Sequence, residues 1–363
     1  MTGRFTTSRR DLLKSGGGAL AFGLGGAAVV ARRAHAEMTA GEKTLYEAAK
    51  KEGELTWYTT HYTSEGAEEL GATFTKLTGI KVNVFRTTAQ VAYQRATQDF
   101  KAGKTECDVF SSTDIGHVLR FKAEGKLEKY VPENEAKAAK AFQNLDPDGY
   151  FHTTSAGFVV LTYNSSKVKP EDAPKKWTDL LDPKWKGKIA WTYDLTPGGP
   201  PGFVHNILTI YGQDKGMAYL KKFAAQEPVT IPTAQRVVLD KVISGEYPLA
   251  VMILNYHATI SQKQGAPVQW IKMEPLLQSM SLVSIVKDSP HPNAARLLVE
   301  FMLSDEGQQV MADSDYLPAS PAVPATVPGN KPDAGHFTVN VVSPEMARDD
   351  NAKWTEVYKA IFR

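Results

Sequence analysis

The sequence predicts an α/β fold, long enough for two doubly wound lobes with a cleft between them. Three observations carry this prediction. Short apolar strands alternate with amphipathic helices, the pattern of a sheet covered on both faces. The alternation starts afresh near Ser155. More than 300 of the 363 residues remain once a leader is set aside, enough for two cores of ordinary hydrophobic content.

The elements follow in order. Residues 44–51 read as a helix, 55–58 as a strand and 64–77 as a helix that Gly79 ends. A strand at 80–85, a helix at 92–102 stopped by Gly103, and a buried strand at 107–110 complete the first run. In the second run, strands are expected at 157–164 and 188–193. The turn Thr196-Pro197-Gly198-Gly199-Pro200-Pro201-Gly202 then leads into a helix at 203–211. A helix at 233–243, strands at 247–254 and 280–286, and one long amphipathic helix at 294–311 follow. The proline-rich stretch 317–332 reads as a connection over the surface, and 351–361 as a docking helix. No internal repeat is present.

Residues 1–36 read as an export leader, outside the fold. A basic stretch at 4–14 precedes a Gly- and Ala-rich apolar run at 16–30. The cleavage pattern Ala34-His35-Ala36 then predicts a mature chain beginning at Glu37. Ser8-Arg9-Arg10-Asp11-Leu12-Leu13-Lys14 resembles the twin-arginine motif, whose route carries folded proteins and ends in the periplasm. The run is too short for a membrane anchor, which needs about 20 apolar residues, and Arg32 and Arg33 lie just before the cleavage site. No later segment is apolar enough to span a bilayer.

Composition narrows the class further. The formal net charge of +2 includes the basic leader, so the mature chain is slightly acidic. Without a basic tract carrying interleaved aromatics, nucleic acid is not an expected partner. The single cysteine, Cys107, rules out an intramolecular disulfide and reads as a small buried hydrophobe beside Val109-Phe110.

Ligands of doubly wound sheets bind at the carboxyl ends of the strands. That rule selects two loops, Thr59-Thr60-His61-Tyr62 and Ser111-Ser112-Thr113-Asp114. Beyond position, whole segments resemble the type 2 periplasmic solute-binding proteins, in the branch of ferric-ion, polyamine, thiamine and phosphonate binders. The stretch Trp177-Thr178-Asp179-Leu180-Leu181-Asp182-Pro183-Lys184-Trp185-Lys186-Gly187-Lys188-Ile189 resembles that family's W-x-D-L-L-x-P-x-[YW]-K-G-K pattern. His291-Pro292-Asn293-Ala294-Ala295-Arg296-Leu297-Leu298, with Phe301-Met302-Leu303-Ser304-Asp305-Glu306-Gly307-Gln308, resembles its long helix, and Tyr163-Asn164 fits a strand end. The resemblance covers the mature chain in order. It implies two lobes joined by two crossovers, placed near 152–155 and 270–277, that close on a ligand like a hinged clamp. Lobe 1 would comprise residues 37–153 and 276–325, and lobe 2 residues 154–275. The tail 326–363 would pack back on both.

The resemblance also implies a site. Asn255-Tyr256-His257 falls where ferric-binding members carry paired tyrosines, here with His257 in the second place, and His61 lies near the family's lobe histidine. Where the family has a glutamate, this chain offers Ser111, Ser112, Thr113 and Asp114. Tyr256, His257 and His61 would then be the metal ligands of a transported ferric ion, a hard cation that favours anionic oxygen. No resident cofactor is implied. Two further features suit an anion. The turn with Thr196, Gly198 and Gly199 opens a helix whose free N–H groups can cradle an oxyanion. Arg236, near the start of its helix, can hold a carboxylate or phosphonate through two parallel hydrogen bonds. Arg236 equally suits a pair with Asp240 one turn on, and Asp114 equally suits a helix cap. The loops lack the ring of carboxylates and aromatics that a polyamine would need.

The expected function is therefore an extracytoplasmic solute-binding protein of an ABC importer, monomeric and partnered by a membrane permease. Its ligand would be a small organic anion, with ferric iron plus a synergistic anion as the alternative. A secreted enzyme on the same scaffold is the rival from another class. No G-x-S-x-G elbow, H-E-x-x-H helix or P-loop supports it. A sensory receptor subunit would share the same sequence features.

Overall fold

The computed structural model describes residues 39–362. The expected leader, its twin-arginine motif and its cleavage pattern lie outside the described residues.

Eleven strands join in one sheet among the described residues. They are β1 (Glu54–Thr59), β2 (Lys81–Arg86), β3 (Val109–Ser112), β4 (His152–Asn164), β5 (Ile189–Thr192) and β6 (Val229–Ile231). Then come β7 (Leu249–Leu254), β8 (Val268–Ile271), β9 (Leu276–Ile285), β10 (Leu317–Pro318) and β11 (Val339–Val341). The main path runs β2-β1-β3-β9-β4-β7-β5-β6. Its two ends are parallel blocks, β2-β1-β3 and β7-β5-β6, and antiparallel β9 and β4 join them. This is an α/β fold of two lobes.

β4 is the spine of the molecule. All thirteen of its residues are buried. On one edge it pairs first with β9 and then with β8; on the other, first with β10 and then with β7. The strand thus passes from one parallel block to the other, with a register shift between Thr153 and Ser155. β9 makes the return pass, because it pairs with both β3 and β4.

The helices are α1 (Ala40–Glu52), α2 (Ser64–Thr78), α3 (Ala89–Lys101), α4 (Ile115–Ala123), α5 (Pro200–Ala224) and α6 (Gln235–Ile243). They continue with α7 (Asn255–Lys263), α8 (Pro292–Leu303), α9 (Asp305–Asp313), α10 (Pro332–Gly335), α11 (Pro344–Asp349) and α12 (Asn351–Phe362). Local chemistry sets many of their ends. Thr39 and Glu42 form a capping box on α1. Thr63 caps α2, and Gly79 ends it in the left-handed region at φ 76°.

Several expectations are corrected. The expected single helix at 294–311 is two helices, α8 and α9, because Ser304 turns extended and its hydroxyl caps the second through Gly307 N at 3.2 Å. The stretch 317–332 runs over the surface only in part, with Pro321, Ala322, Pro324 and residues 326–328 exposed. Leu317, Ala319, Ser320, Val323 and Ala325 are buried, and Ser320 N donates to Gln308 Oε1 at 2.9 Å. The helix expected to stop near 211 does stop there: Gly212, at φ 75° and ψ 172°, breaks α5, and a second helical stretch runs on to Ala224. β3 extends to Ser112, so Ser111 and Ser112 are strand residues. Asn255-Tyr256-His257 is the first turn of α7. Cys107 is buried, as a small hydrophobe would be.

Each lobe has an aromatic core. Phe121 packs against Phe110 and Phe100 in the first, with ring centroids 5.2 Å apart in both contacts. In the second, Trp191 meets Phe203 at 5.6 Å, Phe223 at 5.7 Å and Tyr358 of α12 at 5.7 Å. The docking helix expected at the C-terminus is thus part of the second core.

Candidate functional site

Strand ends from both parallel blocks converge between the lobes. β1 delivers His61 and Tyr62. β7 delivers Tyr256 and His257 at the start of α7, after a bulge in which Met252 takes φ 62° and the β4 register shifts. Bulges of this kind re-aim the residues that follow them. The loop after α9 adds Tyr316. Five rings then form one continuous series. Centroid separations are 3.9 Å for His61–Tyr62, 4.8 Å for Tyr62–Tyr316, 4.9 Å for Tyr316–Tyr256 and 4.7 Å for Tyr256–His257.

Close packing fixes this series. Thr63 N donates to the Tyr316 hydroxyl at 2.7 Å, tying together residues 253 apart in sequence. Phe158 N donates to Asn255 Oδ1 at 2.8 Å, which sets the first turn of α7. A Cβ at Gly157 would stand 3.2 Å from Cε1 of Tyr256, so the ring packs directly over the glycine and would have to give by a few tenths of an ångström to admit a methyl.

The site is polar, buried and incompletely satisfied. Both ring nitrogens of His61, the hydroxyls of Tyr62 and Tyr256, and those of Thr153 and Ser155 are buried without a hydrogen-bond partner. The hydroxyls of Thr154 and Ser155 lie close to the Tyr62 phenol without completing a bond to it. Buried polar groups are nearly always paired in folded proteins, so such a cluster marks a place where a ligand or water completes the bonding. Burial pushes His61 down to about 3, helped by the Arg86 charge. Burial also takes His257 to about 3, with Arg236 and then Arg86 adding to it. Burial raises Tyr316 to about 12 and holds Tyr62 and Tyr256 above their ordinary value. At neutral pH the imidazoles are therefore uncharged and the phenols protonated.

The remaining expected residues fall at the margins. Ser112 accepts from Thr60 Oγ1 at 3.4 Å and from Asp114 N at 3.0 Å. Asp114 caps α4 through Gly116 N at 2.9 Å, and its second oxygen stands 3.4 Å from His117 Nε2. Thr113 lines a void of about 30 Å³ shared with Pro197 and Gly198 of the facing lobe. Burial raises Asp194, beside that turn, and the Asp114 charge across the gap adds to the shift.

The turn at 196–202 differs from the open anion cradle expected of it. Gly198 N donates to Thr196 Oγ1 at 3.3 Å and Gly199 N to Thr196 O at 3.0 Å, while Pro200 and Pro201 bring no N–H. Gly199 is required by packing, since a Cβ there would fall 2.0 Å from Asp194 O. Arg236 donates to Ser261 Oγ at 2.9 Å and pairs with Asp240 at 2.8 Å, so its guanidinium is already engaged. Tyr316, Thr153, Ser155 and Arg86 were not expected from the sequence. Of these, Arg86 alone carried a positional signal, as the end of a parallel strand.

The family model for bacterial extracellular solute-binding proteins matches residues 105–338. The chain belongs to that family. The iron uptake protein A1 of Synechocystis is 27% identical over 272 residues, 70% of this chain and 72% of that protein. The major ferric iron-binding protein of Neisseria meningitidis serogroup B is 25% identical, over 72% of this chain and 80% of that one. Among solved structures, the periplasmic binding protein AfuA of Actinobacillus pleuropneumoniae, with fructose-6-phosphate bound, superimposes with a TM-score of 0.71. That likeness covers 85% of this chain and 98% of AfuA at 19% identity, and it bears on the fold. These relatives are solute-binding proteins rather than enzymes.

Proposed function

We propose that the chain is the extracytoplasmic solute-binding protein of an ABC importer, capturing a small organic anion (carboxylate, phosphonate or sugar phosphate) by closure of its two lobes. The observation that carries this reading is the charge of the buried, unpaired groups. His61, Tyr62, Tyr256, Thr153 and Ser155 are neutral groups able to donate hydrogen bonds, and no carboxylate is among them. A ligand that brings its own negative charge suits such a site.

Lobe 1 comprises residues 37–153 and 276–325, and lobe 2 residues 154–275. β4 and β9 act as the crossovers, and the tail 326–363 packs on both lobes. The protein reaches the periplasm by the twin-arginine route, works as a monomer without catalysis or nucleic acid, and delivers its ligand to a membrane permease.

Ferric iron with a synergistic anion is the second reading. It is favoured by the contact of three phenols with an imidazole, since phenolates are hard ligands for that ion, and by the names of the two relatives. The mature protein, purified with whatever it carries, is tested by its visible spectrum and native mass. A colourless protein retaining a small anion supports the first reading; a tyrosinate-to-iron charge-transfer band overturns it. Tyr256→Phe should abolish iron binding but only weaken an organic anion. Indifference of either ligand to that substitution would remove Tyr256 from the proposed site.

A further inference from the structure

Arg86 is the last residue of β2, at the edge of the first parallel block. Its Nε donates to the carbonyl of Tyr62 at 2.7 Å, which hangs the guanidinium over the loop bearing His61 and Tyr62. Arg95, Arg236, Arg296 and Arg348 each pair with a carboxylate. Arg86 has no such partner among the described residues, and its two Nη groups remain available there. Its charge bears on rings from both lobes. It adds to burial in depressing His61 and His257, and it acts against burial at Tyr256 and Tyr316. The exposed guanidinium thus stands over the loop that carries buried, unpaired His61 and Tyr62, and its charge reaches buried, unpaired Tyr256. The arrangement has a positive charge and hydrogen-bond donors in place, and it lacks a counter-ion.

We propose that Arg86 is the ligand-binding arginine of the cleft, its two Nη groups holding a carboxylate, phosphonate or phosphate whose other oxygens are met by His61 and Tyr256. The assignment rests on the organic-anion reading above. Arg236, engaged by Asp240 and Ser261, then tunes His257 from the facing lobe and is not the main anchor. A planar fork matches such oxyanions through paired bonds, which a lysine cannot reproduce.

The test is calorimetry on the mature protein with inorganic phosphate, aminoethylphosphonate, fructose 6-phosphate and citrate, alongside native mass spectrometry of the protein as purified. Wild type should bind at least one probe or retain an anion. Arg86→Ala should weaken that binding by roughly 10- to 100-fold, the loss of one charge-assisted pair. Arg86→Lys should recover part of it, and Arg236→Ala should change it less than Arg86→Ala. Since Arg86 is exposed, both of its variants should keep the wild-type melting temperature within a few degrees. Wild-type anion binding that survives Arg86→Ala unchanged overturns the assignment and leaves the organic-anion reading standing. Wild type that binds none of the probes and retains no anion overturns that reading, and the assignment with it.

Discussion

Tyr256 owes its place to a residue with no side chain. An added methyl at Gly157 would meet Cε1 and Cδ1 of the ring at 3.2 and 3.3 Å, and Tyr316 and His257 already pack against the same ring. The ring has little room to retreat. Gly157→Ala is expected to cost about 1–3 kcal/mol of stability, as overpacking does. It should also weaken ligand binding several-fold, read by urea denaturation and calorimetry; unchanged affinity would mean that Tyr256 lies outside the site. At this scale the sequence was legible where neighbours in the chain act together. Asn255-Tyr256-His257 and the His61 loop were found through resemblance and strand-end position, and the Arg236–Asp240 pair through helical spacing. Tyr316 was not, because what places it is a bond to Thr63, 253 residues away. Thr153 and Ser155 were hidden similarly, as polar residues in a strand whose buried surroundings only the tertiary fold supplies.

Elements were more legible than contacts. Strands and helices with their own caps appear close to their expected places, since Gly79 or Thr63 signals an end within a few residues of it. The expectation failed where two helices abut without a glycine or proline between them, as at Ser304, and in part where a proline-rich segment is half buried by its partners. α12 is a case in which the element was legible and its importance was not. Its Tyr358 is fully buried, 5.7 Å from Trp191 and 5.6 Å from Phe362. Tyr358→Ala should lower stability by about 3–5 kcal/mol, seen as a lower urea midpoint with little change in slope. A loss below about 1 kcal/mol would show that α12 is not part of the second core. Lys263, at the end of α7, pairs with Asp315 beside Tyr316 and so joins the proposed lobes at the surface. Lys263→Ala should lower unfolding stability by about 1 kcal/mol or somewhat more, because it leaves the largely buried Asp315 carboxylate without its partner. If the pair helps to hold the proposed lobes together, the same variant should enlarge the radius of gyration of the unliganded protein in X-ray scattering; an unchanged radius would show that it does not.

The whole molecule brings two uncharged imidazoles, one from each proposed lobe, into a buried space, and this makes closure sensitive to acid. His61 and His257 are held near 3, against an ordinary value of about 6.5. A group whose pKa is depressed in the closed, folded state binds fewer protons there than when open or unfolded. Stability is therefore fully present above about 6.5 and is lost as pH falls from there toward 3. Each ring contributes at most about 1.4 kcal/mol per pH unit across that window. The other groups facing the rings do not offset this. Arg86 and Arg236 stay cationic and oppose a further positive charge, while Tyr62, Tyr256 and Tyr316 stay protonated throughout. Melting temperature and ligand affinity should both fall between pH 6.5 and 4. His205 and His117, also depressed by burial, add to the first slope but lie outside the ring series. The double variant His61→Gln, His257→Gln separates the two contributions. It should flatten the pH dependence of affinity while leaving part of the melting slope in place. An affinity slope as steep as that of wild type would show that closure does not depend on keeping these two rings neutral.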